Sequence, residues 1–131
     1  HNYDELGPRF PDMSDAYDKD LIALGKRVAA ELEIDTQEGV YTACSGPYYL
    51  SKAELGMVRN FGSDTIGMST VPEVTVAVHG GMKCLGISCI TDMAIPEALE
   101  PLEHEHVVKV AAEARPKFIR LVSGIVEAIE I

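Results

Sequence analysis

The run MKCLGISCIT, residues 82–91, restricts the possible folds more than any other stretch. Its apolar residues follow one another almost without interruption, which suits a parallel strand covered on both faces rather than a strand with one wet side. Such a strand needs helices around it, and the flanking sequence predicts them. SDAYDKDLIALGKRVAAELEI places Leu21, Leu24, Val28, Ala29 and Leu32 on one helical face behind Ser14 and Asp15 as candidate caps, predicting a helix over about residues 15–33. GVYTACSG is β-rich and runs into Gly46-Pro47, and Ser51 with Glu54 has the capping-box spacing of a short helix that stops at Gly62. SDTIGMS predicts a brief buried strand. Thr70 with Glu73 repeats the capping-box spacing, Pro72 falls in the first turn, and the helix VPEVTVAVH stops at Gly80-Gly81. From Glu103 to the end, Val107, Val110, Ala111, Ala114, Phe118, Leu121, Val122 and Ile125 trace a helical stripe, which Pro116 is expected to kink or divide.

Helix, strand, helix, strand, helix, strand, helix is the order of an α/β fold, a mixed or mostly parallel sheet with helices on both faces. With 131 residues, 47% of them apolar, residues 1–131 are expected to form one domain. Asp and Glu number 21 against 11 Lys and Arg, so the basic surface that a nucleic-acid partner requires is missing. No apolar run is long enough to span a bilayer and the first residues lack the pattern of a secretory signal, so a cytoplasmic protein without a membrane partner is expected. The chain opens on His1 rather than Met and passes at once into the irregular GPRFPDMSD, as a fragment would. Cys44, Cys84 and Cys89 form an odd set without metal spacing, in apolar surroundings that predict buried thiols. The four histidines, at 1, 79, 104 and 106, lack metal spacing as well, and HEH at 104–106 sends its two rings to different helix faces, so no metal site is expected.

Ligands of α/β sheets gather beyond the carboxyl ends of the strands. The exits here are CSGPYYL, GMST and ITDMA. Tyr48 and Tyr49 present rings to a flat ligand or pack their own loop. Ser69 and Thr70 stand before a helix start, suited either to an anion or to capping. Asp92 emerges from an apolar run, where burial would keep it protonated, or else it caps the following turn in water.

Taken together, GPRFPDMSDAYD, GVYTACSGPYYLSKAE, GSDTIGMSTVPEVTVAVHGG and LGISCITD resemble, in this order, the carboxyl-terminal half of the trimeric purine nucleoside phosphorylases and the related methylthioadenosine phosphorylases. The resemblance implies a phosphorylase/hydrolase-like fold, here a partial domain. It also implies cleavage of purine ribonucleosides by inorganic phosphate, a co-substrate, to free purine and ribose 1-phosphate, without a cofactor. It assigns Tyr49 and Leu50 to the purine and ribose pocket, Met68 to the sugar, Ser69 to phosphate, Asp92 to purine N7 and the 6-substituent, and His104 to the ribose 5′-hydroxyl. Asp92 and His104 are the expected catalytic pair. Two positions depart from the 6-oxopurine enzymes: Leu50 stands where they typically have Glu, and Asp92 where they have Asn. The first removes an acceptor for ring N–H groups, and the second resembles the methylthioadenosine enzymes, while His104 favours a free 5′-hydroxyl. An adenosine-like preference follows.

The family's phosphate loop lies in an amino-terminal half for which nothing here substitutes. The expected partners are therefore nucleoside, phosphate, and either further copies in a trimer or a complementing amino-terminal chain. A noncatalytic purine-binding or assembly module is the alternative. The phosphorolysis reading requires Tyr49, Met68, Ser69 and Asp92 to converge on one hollow.

Overall fold

A computed structural model describes residues 2–129, leaving His1 and the last two positions of the expected carboxyl-terminal helix outside the described residues. The elements run α1 (Lys19–Glu31), β1 (Tyr41–Ala43), α2 (Lys52–Asn60), β2 (Thr65–Gly67), α3 (Val71–His79) and α4 (His104–Ala128), with short 3-10 turns at Asp4–Leu6 and Pro96–Ala98. β1 and β2 are parallel, in the register Tyr41↔Thr65, Thr42↔Ile66 and Ala43↔Gly67, with α2 as the crossover between them. The α/β class is as expected, but the sheet among the described residues has two strands where the sequence predicts three.

The missing strand is the run that most suggested a sheet. Residues 85–91 make no backbone hydrogen bond to any described residue, and the nearest tie is the Asp18 N–H donating to the Cys84 carbonyl at 2.9 Å. A strand exists only with a neighbour to share its ladder. Burial of Leu85 and Ile87 against the core holds the segment in place, while β1 takes β2 as its partner.

α1 starts later than its first candidate caps. Ser14 turns its N–H and hydroxyl onto the Asp12 carboxylate, at 2.9 and 2.6 Å, and Asp18 caps instead, accepting the N–H groups of Asp20 and Leu21 at 3.0 and 2.9 Å. The helix ends in a Schellman motif: the Ile34 N–H reaches the Ala29 carbonyl at 2.8 Å and the Glu33 N–H reaches Ala30 at 3.1 Å. That motif sets Glu33 at φ 54°, a left-handed conformation costly for a residue with a Cβ. Glu33→Gly is therefore expected to raise stability by about 1 kcal/mol, read as a higher urea midpoint at unchanged slope.

α4 is one continuous helix through Pro116, not two. A proline there removes one intrahelical donor, and the stripe that α4 buries against α1 offsets the loss. Val28 and Ala29 of α1, Ile34, and Leu121 and Ile125 of α4 form the main core, flanked by Leu24, Leu32, Leu85, Ile87 and Ala128. The expected burial of the cysteines does not hold: Cys44 and Cys84 are half-buried, Cys89 is exposed, and all three are free. Among the described residues no helix is long and apolar enough to cross a membrane.

Candidate functional site

Parallel pairing places the first two exits side by side. Ala43 faces Gly67 in the ladder, and the Cys44 N–H continues it to the Gly67 carbonyl at 2.9 Å, so Gly46 and Met68 leave the sheet together. Gly46 has φ +56°, and a Cβ there would overlap the Met68 sulfur. The thioether therefore lies directly on the backbone of the first loop, a contact that only glycine permits.

The two tyrosines of that loop divide their duties. The Tyr48 hydroxyl donates to Glu54 at 3.3 Å, and Glu54 completes the predicted capping box with Ser51, accepting its N–H at 2.8 Å and its hydroxyl at 2.7 Å. Tyr48 thus ties the loop to the start of α2, while Tyr49 stands 49% exposed beside it and Leu50 is half-buried. The Ser51 hydroxyl, followed by its N–H, holds the Glu54 carboxyl below its ordinary value, and the Glu54 charge pushes the Tyr48 hydroxyl up.

This cap carries a pH signature. A carboxyl depressed in the folded chain takes up its proton at higher pH once unfolded, so acid favours the unfolded state. The cap's contribution is complete above the ordinary Glu value of 4.5 and fades as pH falls through the lower folded value. Thermal midpoints measured from pH 7 down to pH 3 are expected to fall less steeply in Glu54→Gln than in the parent; parallel curves would contradict the linkage.

The second exit differs from its sequence reading. Thr70 makes no capping hydrogen bond. It adopts φ 73° and ψ −58°, and the Val71 N–H donates across it to the Ser69 carbonyl at 2.8 Å. This is a γ-turn of the rare, strained form, costing about 1–3 kcal/mol. The sharp reversal replaces the expected Thr70–Glu73 capping box and leaves Ser69 exposed at the mouth of α3. Met68, 46% exposed, precedes it.

The third exit stands apart. Of the two readings open to Asp92 the structure shows the exposed one, and the residue lines a hollow of about 440 Å³ with Met93, Ile95, Glu100 and His106. Arg59 of α2 anchors the turn beyond it by grasping both carboxylate oxygens of Glu97, one at 3.0 Å. That guanidinium lowers the Glu97 carboxyl and fastens the Pro96–Ala98 turn to α2. His104 opens α4, exposed, and it is His106 that faces the Asp92 hollow. Sequence reasoning passed over His106 and Arg59, because helical spacing separates the faces of positions 104 and 106 without saying which one meets the exit.

A second cavity, of about 740 Å³, lies between residues 35–39, the segment 85–90 and the facing sides of α1 and α4. Thr70 touches it, whereas Tyr49, Met68 and Ser69 line neither cavity, and Asp92 lines only the smaller one. The structure thus joins the first two exits through Met68 and Gly46 and leaves Asp92 and His104 at a separate corner, so among the described residues Tyr49, Met68, Ser69 and Asp92 do not converge on one hollow as the phosphorolysis reading requires. Among the described residues no three His, Cys, Asp or Glu side chains are grouped to hold a metal ion.

Comparison with known proteins points in one direction. The sequence pattern of the phosphorylase superfamily matches residues 1–127. Purine nucleoside phosphorylase 1 of Bacillus subtilis is 50% identical over 129 residues, covering 98% of this chain and 48% of that protein. Purine nucleoside phosphorylase of Bos taurus is 38% identical over 136 residues, covering 99% and 46%. Among solved structures, that of Schistosoma mansoni purine nucleoside phosphorylase in complex with adenosine superposes with a TM-score of 0.94 at 34% identity, over 100% of this chain and 48% of that one. Isoform 2 from the same organism, in complex with cytosine and ribose-1-phosphate, gives 0.95 at 38%, over 100% and 47%. The chain spans about half the length of the relatives it matches.

Proposed function

The chain belongs to the phosphorylase superfamily, and from that membership we propose that residues 1–131 form one unit, the carboxyl-terminal part of a purine nucleoside phosphorylase. In this reading a phosphate oxygen attacks ribose C1′ as the C1′–N9 bond breaks, the purine leaves with the bonding electrons and takes up a proton, and ribose 1-phosphate remains. The protein positions anion and sugar and stabilises the leaving base. By the resemblance, Met68 packs on the sugar, Ser69 donates to phosphate, Tyr49 lines the pocket, His104 contacts the 5′-hydroxyl, and Asp92, which lies on a separate hollow in this chain, faces N7 and the 6-substituent. Leu50 offers no acceptor to the ring N–H of a 6-oxopurine, which supports a preference for adenosine over guanosine. Inorganic phosphate serves as co-substrate without a cofactor, and a cytoplasmic trimer is part of the same reading.

The observation that carries the proposal is the paired exit of β1 and β2. The Met68 sulfur seated on Gly46, followed directly by the γ-turn at Ser69 and Thr70, offers apolar support and an exposed hydroxyl at one end of the sheet, with Tyr49 three residues after Gly46 on the adjoining loop. The test is a chimera in which the amino-terminal half of the Bacillus subtilis relative precedes this chain. It is expected to release purine from adenosine only when phosphate is present, and Ser69→Ala is expected to lower that rate by about 10²-fold. A folded chimera that binds purine without turning it over would replace this reading with the noncatalytic module, and guanosine as the best substrate would overturn the base preference.

A further inference from the structure

Residues 92–103 link the third exit to α4, and few polar ties hold them. The segment carries Asp92, Glu97, Glu100 and Glu103 without a Lys or Arg, so its own charges repel one another. Its internal backbone bonds are short-range, from the Ile95 N–H to the Met93 carbonyl at 2.9 Å and from the Ala98 N–H to the Ile95 carbonyl at 3.1 Å. Among the described residues, the hydrogen bonds that tie the segment to a distant part of the chain are the two from the Arg59 guanidinium to Glu97. Both partners are exposed, and an exposed ion pair ordinarily contributes little. Here the fork engages both carboxylate oxygens, which fixes direction as well as distance, and the Pro96–Ala98 turn lies against α2 at the same point.

α2 carries both ends of this arrangement. Its start is fixed to the first exit by the Tyr48–Glu54 bond and the Ser51–Glu54 box, and Arg59 stands in its last turn. The helix keeps its two ends about 12 Å apart, so it acts as a spacer between the Tyr49–Leu50 loop and the turn that follows Asp92. We propose that Arg59 is a positioning residue: through Glu97 it holds residues 92–103, and with them Asp92 and His106, at a set distance from the Tyr49–Leu50 loop. The consequence for a nucleoside rests on the phosphorylase reading, which assigns Tyr49, Leu50 and Asp92 to one base, whereas the hold on the segment does not. Phosphate binding is indifferent to the clamp, because Ser69 leaves the sheet at the second exit.

Hydrogen exchange on this chain tests the hold directly. Arg59→Ala is expected to speed exchange of the Ala98 amide about threefold or more, with circular dichroism and the urea midpoint unchanged, and Glu97→Gln should do the same. Arg59→Lys keeps the charge without the fork and should retain only part of the protection. The swap of Arg59→Glu with Glu97→Arg should recover most of it, while Arg27→Ala, which breaks the Arg27–Glu31 pair inside α1, should leave Ala98 unchanged. In the chimera with the amino-terminal half of the Bacillus subtilis relative, Arg59→Ala should raise the KM for adenosine about fivefold and leave the KM for phosphate unchanged, with the swap restoring the first. Unchanged exchange at Ala98, or a swap that exchanges as fast as Arg59→Ala, would overturn the proposal. So would an active chimera in which the adenosine KM does not move, or in which both KM values rise together, the mark of a general loss of structure. A folded chimera without turnover would refute the enzymatic reading and leave the exchange results, which need no turnover, to decide this one.

Discussion

Truncating Leu121 to alanine is expected to lower the stability of this chain by about 3 kcal/mol, within the 2–5 kcal/mol typical of a buried leucine. The side chain is 5% exposed and stands in a main core of only five buried residues, so few neighbours can close the cavity. Its loss removes part of the contact through which α4 is fixed to α1. Since whole domains are stable by about 5–15 kcal/mol, a large share of the reserve disappears, and the urea midpoint should fall accordingly. Val126→Ala, on the same helix but 63% exposed, is the control and should change stability by less than about 0.5 kcal/mol. Equal effects would mean that α4 is not docked by the stripe at Leu121 and Ile125.

Gly46→Ala is expected to disturb the paired exits most strongly. The left-handed backbone at φ +56° costs a residue with a Cβ about 1–2 kcal/mol, and the added carbon overlaps the Met68 sulfur as well. A total loss of about 2–3 kcal/mol is expected, together with displacement of Met68 from the loop. The pair Gly46→Ala and Met68→Ala separates the two causes. Shortening Met68 should return the overlap part of the loss and leave the backbone part, giving a coupling of about 1 kcal/mol in a double-mutant cycle. Strictly additive costs would show that the thioether does not rest on this glycine. If the proposed function holds, Gly46→Ala in the chimera should also lower turnover more than tenfold with the secondary structure intact, because the role proposed for Met68 requires its place on the loop.

The helices were largely legible in the sequence because their causes are local. The Ser51–Glu54 box formed as its spacing predicts, Gly62 and Gly81 supplied the positive φ that follows α2 and α3, and the Leu121–Ile125 end of the α4 stripe met the α1 stripe in the core, while Ala111 and Phe118 stayed exposed. Local signals misled at two helix starts. Ser14 bonded to Asp12 and left the cap of α1 to Asp18, and Thr70 entered a γ-turn where its spacing promised a cap. Of the site, the proximity of Met68 to Gly46 follows from parallel register, which the two strand sequences do not encode separately. The facing of His106 toward Asp92 and the grip of Arg59 on Glu97 depend on contacts between distant parts of the chain.

The amino-acid order by itself determined which segments would become helices, where most of them stop, and that the fold would be α/β, because hydrophobic period, caps and glycines act within a few residues. Tertiary structure alone decided that residues 85–91 would pair with no other described strand and that the first two exits would meet while the third stood apart. A strand is completed by hydrogen bonds to another strand, and an apolar run carries the readiness to pair without specifying the neighbour that makes it a sheet.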